Sequence, residues 1–522
     1  MRSFEVVDLF AGPGGLAEGF SAYKVDGAPA FKVRLSVEKE ASAFATLRLR
    51  SFTRQFGGSL PEAYYAYVAG ELPREELGRL HPQEWQAACE ETHQLELGQP
   101  SSAETIDPLL DAIRERSGAE VVLVGGPPCQ AYSLVGRARN LGKQDYDAAA
   151  DQRHFLYREY IRILERLQPA AFIMENVKGF LSSAINGERI FDRVLRDLRA
   201  AGPSPESYLI IPLVEGYSRS GQEYVVKAER HGVPQARHRV ILFGVRADIA
   251  AELDLSKCNL ALERNTSKVE DVLRSMPRLR SGLSRSVDDP QTWRLAVTSA
   301  LMAAESGALR MGTSVSVRVA ECLARHLSAF KASKEAPPRK STELASVSNN
   351  SLAAWLVDPR LTRLLNHEAR GHMQGDLARY AYAAAFAETQ GRSPKADEYP
   401  SNLAPQHANW LSGKFADRFR VQCWDAPATT ITSHISKDGH YFIHPDVLQC
   451  RSLTVREAAR LQTFPDNYFF EGNRTEQYVQ VGNAVPPLLA YKIAETVYRV
   501  LASRSGGPRS FGGKVAEVPG AA

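Results

Sequence analysis

Residues 121–130, Val121-Val122-Leu123-Val124-Gly125-Gly126-Pro127-Pro128-Cys129-Gln130, decide the fold. The unbroken apolar run reads as a buried parallel strand, and the glycines after it as a tight turn. Two prolines fix the backbone immediately before the sulfur. In open α/β sheets, ligands bind beyond the carboxyl ends of the strands. A cysteine held there by a stiff loop points to a positioned nucleophile. Taken alone, a free cysteine is more often a small buried hydrophobe than a catalyst; the Gly-Gly-Pro-Pro context reverses that balance.

Two other strand ends repeat the arrangement. Phe4 to Phe10 (FEVVDLF) runs into Ala11-Gly12-Pro13-Gly14-Gly15 and a helical pattern. Ala170 to Met174 (AAFIM) runs into Glu175-Asn176-Val177. On one sheet edge the three supply a glycine loop, a thiol and a carboxylate. The glycine loop lets the backbone approach a ligand beside a helix N-terminus, although it is not the GxGxxG fingerprint. Val33 to Glu38 reads as the second strand. Glu38 ends it, where a carboxylate commonly takes the ribose hydroxyls of an adenosine-type cofactor; alone it is an ordinary surface charge. Glu175 follows buried residues, so desolvation is expected to raise its pKa and let it hydrogen-bond or protonate a ring nitrogen, unless it is a plain capping or loop residue; Asn176 is placed to orient it or hold the loop.

Gln235-Ala236-Arg237-His238-Arg239 enters a strand at Val240 to Val245. Arg237 and Arg239 are two apart and share one strand face, fit to anchor a phosphate, a carboxylate or a base carbonyl. After Cys129, the segment with Gln130, Ser133, Arg137, Arg139 and Lys143 carries no acid until Asp145. It suits a loop closing over a polyanion, or an ordinary charged surface loop.

The chain has 522 residues, 44% hydrophobic and 24% charged, which predicts two or three globular domains. A net charge of +4 permits a nucleic-acid partner without requiring one. The six cysteines (89, 129, 258, 322, 423 and 450) are scattered and form no CxxC pair. Neither a zinc site nor a disulfide framework is expected, which favours a reducing compartment. No apolar run suits a membrane span, and the early first strand leaves no room for a signal peptide, so a cytoplasmic protein is expected.

Strand-like and helix-like runs alternate through residues 1–245, the pattern of a doubly wound, mostly parallel α/β sheet. Tyr208 to Leu213 adds another strand, and residues 50–100 read as a helical insertion. Residues 246–450 read as a second, smaller domain of mixed structure. It holds a linker at 331–351 and helical runs at Leu352 to Val357 and Leu377 to Ala387. Trp424 to Thr432 reads as a strand whose Thr429 and Thr430 hydroxyls are available for phosphates. His367 and His372 near Asp376 lie five apart, off one helical face, so they are not read as metal ligands. Residues 451–503 open on a capping box, Thr454-Val455-Arg456-Glu457, with a helix to Leu461. They then pass a turn at 481–487 and end in a helix from Leu488 to Leu501. Residues 504–522, rich in Gly, Ser and Pro, read as a disordered tail.

The ordered set DLFAGPGG, GGPPCQ, ENV, QARHR, LTVREAARLQTFP and QVGNAVPP resembles the motif series of the DNA cytosine-5 methyltransferases, from about residue 4 to residue 500. The resemblance implies a Rossmann-like catalytic domain using S-adenosylmethionine and no metal. It implies a target-recognition domain in 246–450 and a C-terminal segment, 451–503, that packs back onto the catalytic domain. It makes Cys129 the nucleophile, Glu175 the cytosine-binding acid, and Arg237 and Arg239 pocket arginines. It places cofactor contacts at Phe10, Ala11, Gly12, Gly14, Gly15, Leu16, Glu38, Pro127, Leu156, Asn483 and Ala484. The acid that meets the adenine amino group in many members has no clear counterpart; Glu96 and Asp107 are the candidates.

The implied reaction adds the Cys129 thiolate to carbon 6 of a cytosine flipped out of double-stranded DNA, and methylates carbon 5. A bacterial modification enzyme acting as a monomer on DNA is expected, either with a cognate restriction endonuclease as a functional partner or as an orphan modification enzyme. Two other readings stay open: a transfer-RNA cytosine methyltransferase, and a catalytically idle DNA-binding regulator of the same fold.

Overall fold

The computed structural model describes residues 2–118, 120–128, 156–185, 187–215, 221–334, 336–405 and 419–504. One eight-stranded sheet organises the first half. Its strands are β1 (Phe4–Leu9), β2 (Phe31–Glu38), β3 (Thr92–Gln94), β4 (Val121–Gly125), β5 (Ala171–Val177), β6 (Tyr208–Ile211), β7 (Val225–Lys227) and β8 (His238–Arg246). Their order is β6-β8-β5-β4-β1-β2-β3, with β7 also on β8. The pairs from β5 through β3 are parallel; β8 runs antiparallel to β5, β6 and β7.

Alternation along the strands fills two apolar layers. Val7, Leu9 and Leu123 face one layer with Leu110 of α6 (Pro100–Ser117), Leu164 of α7 (Leu156–Leu167) and Val194 of α8 (Ile190–Arg199). Val6, Val122 and Val124 face the other with Phe20 of α1 (Gly15–Ala22). That layer also takes Leu489, Ile493 and Val497 of a helix near the C-terminus, Pro487–Leu501. Helices therefore cover both faces, as the doubly wound pattern predicts. The C-terminal helix lies tight on α1: a Cβ on Gly15 would stand 2.3 Å from the Val485 carbonyl oxygen, and one on Gly19 2.4 Å from Ala490 Cβ.

Four helices, α2 (Ala41–Arg54), α3 (Glu62–Val68), α4 (Arg74–Leu80) and α5 (Pro82–Glu91), fill most of the stretch read as a helical insertion. It is not helical throughout, because β3 pairs in parallel with the end of β2. β5 also runs further than expected and carries Glu175 and Asn176 within the strand. Its pairing with β8 extends to Arg239↔Val177 and holds those residues extended.

The region after Arg246 is built on three long helices, α9 (Pro290–Met311), α10 (Ser314–Ala332) and α11 (Gln374–Gln390), packed around Trp293, Leu301, Leu323 and Tyr380. Only α11 was legible from apolar periodicity. The signals for the other two were their caps: Asp289 accepts from the Gln291 and Thr292 amides ahead of Pro290, and Thr313 forms a capping box with Ser316.

Buried arginines fix residues 451–466 to one another and to the region after Arg246. Arg451 forms a bidentate pair with Glu457 at 2.7 Å, and Arg460 another with Asp466. Arg456 donates to the Leu365, Pro465 and Tyr468 carbonyls. These residues belong to α12 (Val455–Leu461) and its flanks, and the Thr454–Glu457 capping box forms as expected. α13 (Arg474–Asn483), capped by Asn473, runs into the first three residues of the stretch read as a turn; residues 484–486 then lead to α14 (Pro487–Leu501). No helix among the described residues is long and apolar enough to cross a membrane.

Candidate active site

Three strand ends converge here. β1 ends at Leu9, and Phe10 turns the chain with φ +55°. Gly12 and Gly14 follow at φ +57° and +101°, conformations that a side chain would strain. Gly12 N–H donates to Glu38 Oε2 at 2.8 Å and Glu40 N–H to Oε1 at 2.7 Å, so the acid that ends β2 fixes the glycine loop. Burial pushes the Glu38 carboxyl up, against the pull of those amides. Distant chain supports the loop from behind. The Tyr468 hydroxyl donates to the Pro13 carbonyl, and a Cβ on Gly14 would stand 3.2 Å from that hydroxyl.

No described residue lies within 4 Å of a Cβ built on Gly12, so among the described residues the loop is uncovered there. The half-buried ring of Phe10, the buried Glu38 carboxylate and Leu156, at the start of α7 where a Cβ on Gly98 would stand 3.3 Å from its Cδ2, are all in this part of the fold. An apolar ring, a buried acid at a strand end and an uncovered glycine loop fit an adenosine-type cofactor. Ala11 is half-buried; Gly14, Gly15, Leu16, Pro127 and Ala484 are buried; Asn483 is exposed at the end of α13. Of the two adenine candidates, Asp107 is engaged by Arg162 and Arg166 of α7 at 3.0 Å. Glu96 lies two residues past the end of β3, beside the end of β2, and pairs with Lys39 at 3.3 Å.

At the second strand end, Gly126 passes against the third: a Cβ there would stand 3.0 Å from Glu175 Oε2. Arg239 Nε lies 2.7 Å from Glu175 Oε1, with the two side chains 10% and 13% exposed. The contact is an ion pair whose N–H is not aligned for a hydrogen bond. The carboxyl expected to be desolvated at the strand end thus has a guanidinium partner. Asn176 Oδ1 accepts from Val177 N–H, and its buried side-chain amide nitrogen has no partner among the described residues.

Arg237 has a different job from Arg239. It is buried between Gln235–Ala236 and β8, and donates to the Ile431 carbonyl at 2.7 Å and the Gly482 carbonyl at 3.3 Å. Burial, with Arg239 nearby, pulls its pKa well below the usual guanidinium range. Gln235, quoted in the motif but not singled out, extends the brace: it bonds Gln462, the Leu461 carbonyl and Ile431 N–H. Gln462 in turn bonds the Val481 and Ala484 carbonyls. These glutamines were missed because a polar residue in a motif does not disclose that it is buried.

The threonine hydroxyls expected to be available are occupied. Thr430 donates to the Ala236 carbonyl at 2.6 Å, and Thr429 is bonded by the Gln422 side chain. Ala428–Thr429 pairs in parallel with Gln235–Ala236, which spends this segment on joining the two halves of the molecule. His367 bonds Thr454 and the Pro277 carbonyl, whereas His372 bonds Ser452 and Tyr380, so the two serve separate networks. Cys129, Gln130, Ser133, Arg137, Arg139 and Lys143 lie outside the described residues, as does the tail from 505.

A family model for C-5 cytosine-specific DNA methylase matches residues 106–294 and 330–499. The type II methyltransferase M.Bpa9945I of Bacillus paralicheniformis is 33% identical over 515 residues, covering 95% of this chain and 99% of that protein. M.AgeI of Thalassovita gelatinovora, also a type II methyltransferase, is 28% identical over 516 residues, covering 94% and 99%. A crystal structure described as a DNA modification methyltransferase encoded within an E. coli prophage shares the fold, with a TM-score of 0.53 at 18% identity, covering 96% of this chain and 100% of that one. Motif order, fold and relatives agree: this chain belongs to the C-5 cytosine-specific DNA methylase family, as an S-adenosylmethionine-dependent DNA methyltransferase of the bacterial modification type.

Proposed function

We propose that the protein methylates carbon 5 of a cytosine extruded from a specific duplex sequence, through a covalent adduct with Cys129. Carbon 5 of cytosine is a poor nucleophile. Addition of the Cys129 thiolate to carbon 6 converts the ring to an enamine-like species, and a proton held by Glu175 at ring nitrogen 3 favours that addition. Arg239 positions the Glu175 carboxyl. Gly12, Phe10, Glu38 and Leu156 would hold S-adenosylmethionine, which when bound supplies the electrophilic methyl group that carbon 5 takes up. Loss of the carbon 5 proton and departure of the thiol restore the aromatic ring and the enzyme.

A stacked cytosine cannot reach this site, and extruding it costs on the order of a few kcal/mol. Contacts from residues 246–450, acting as the target-recognition domain, and from the basic segment 130–143 offset that cost. The observation that supports this reading best is the passage of Gly126, three residues before Cys129, against Glu175 Oε2. The test is transfer of a labelled methyl group from S-adenosylmethionine to duplex DNA and, separately, to transfer RNA. Label in the DNA is expected; label in the RNA alone would move the substrate assignment.

A further inference from the structure

Away from the sheet, Cys322 and His326 stand one turn apart on α10, and Glu388 meets them from α11. One ligand atom of each lies within 4.8 Å of the other two. The i, i+4 spacing puts the thiol and the imidazole on one helix face. Cys322 is buried, His326 half-buried and Glu388 exposed, which leaves the outer side of the cluster open to solvent. His326 Nε2 is 2.9 Å from Glu388 Oε2, and Arg325 donates to Oε1 at 3.0 Å.

We propose that Cys322, His326 and Glu388 bind a zinc ion that clamps α10 to α11, remote from the methyl-transfer chemistry. The donor set selects the ion. Sulfur with imidazole and one carboxylate suits a borderline cation such as Zn²⁺ or Co²⁺; Mg²⁺ and Ca²⁺ demand oxygen ligands. Three protein ligands leave the fourth tetrahedral position to water. The thiol proton passes to solvent as the sulfur coordinates, so thiolate and carboxylate together balance the charge of the ion. His326 and Glu388 exchange their mutual contact for the metal, while Arg325 keeps Oε1 and orients the carboxylate from outside. The competing assignment is a plain surface ion pair of Arg325 and His326 with Glu388. The motif is hard to see in sequence because its third member lies 62 residues from His326.

Full-length protein stripped of metal by a chelator is titrated with Co²⁺, then with Zn²⁺. One Co²⁺ per chain is expected, with a thiolate-to-metal charge-transfer band and tetrahedral visible absorption, both removed by Zn²⁺. Cys322→Ser abolishes the band, whereas Cys129→Ala, Cys89→Ser and Cys423→Ser retain it. Glu388→Gln, an exposed change that spares the core should Cys322→Ser fail to fold, weakens Zn²⁺ at least about tenfold, because even second-shell losses reach that size. A wild-type protein without the band, a band unchanged in Cys322→Ser, or wild-type affinity in Glu388→Gln overturns the assignment.

Discussion

Arg239 and Glu175 meet across the β5–β8 seam as diagonal neighbours, with Arg239 opposite Val177 and Glu175 opposite Ile241. Their 2.7 Å contact fixes an acid that lies against Gly126 in the turn after β4. Glu175→Gln keeps the shape but loses the proposed proton donor. Its kcat for methyl transfer is expected to fall about 10²–10⁴-fold, with cofactor affinity little changed. Arg239→Ala strands a nearly buried carboxylate and is expected to cost about 3–5 kcal/mol in urea unfolding. An Arg239→Ala protein as stable as wild type would show that the pair does not hold the site.

Among the described residues the Arg237 donors go to the Ile431 and Gly482 carbonyls, so its expected role is to brace the site. Arg237→Met leaves both acceptors buried without it, at about 1–3 kcal/mol each. Arg237→Lys, a single ammonium in place of a fork, is expected to recover part of that stability. Unfolding midpoints of the two variants test this; a variant of full stability that lacks only turnover would place Arg237 in the chemistry instead.

Asp8, on β1 just before the glycine loop, is wholly buried. Among the described residues neither oxygen meets a partner in hydrogen-bond geometry, although the Arg54 guanidinium and the Ala17 amide favour the charged form. Burial outweighs that and pushes the pKa up to about 8. Between its ordinary value near 3.8 and about 8, the folded protein holds a proton that the unfolded chain has released. This contribution therefore makes stability fall as pH rises through the window and level off above it. Asp8→Asn should flatten the decline and be more stable than wild type at pH 8, by about 1–3 kcal/mol. Parallel pH profiles for the two proteins in thermal unfolding would contradict the assignment.

The packing of α1 on α14 leaves no room at Gly19, where an added methyl would sit 2.4 Å from both Ala490 Cβ and Tyr491 N and 2.5 Å from the Pro487 carbonyl oxygen. Gly19→Ala is expected to destabilise by about 1–3 kcal/mol through overpacking, despite alanine's better helix propensity. A gain in thermal stability would mean that the two helices are not held this closely.

What the sequence disclosed follows from the physics of each element. β1, β2, β4 and β8 are dense in Val, Ile, Leu and Phe, and the turns after β1 and β4 are marked by Gly and Pro, so the sheet and its functional edge were legible. β3 is three residues, Thr-His-Gln, and exists only because the end of β2 offers it a partner. α9 and α10 escaped because alanine and serine dilute their apolar stripes. The roles of Arg237, Thr429 and Thr430 turned on partners some 190 residues or more away or on a local glutamine, which residue type alone cannot reveal.

The most direct measurement is bisulfite sequencing of DNA from cells expressing the wild-type protein or Cys129→Ala. The wild type should leave 5-methylcytosine at one short recurring sequence, and Cys129→Ala should leave none. An unmethylated genome with the folded wild type, or the same methylated sequence with Cys129→Ala, would contradict methyl transfer through that sulfur.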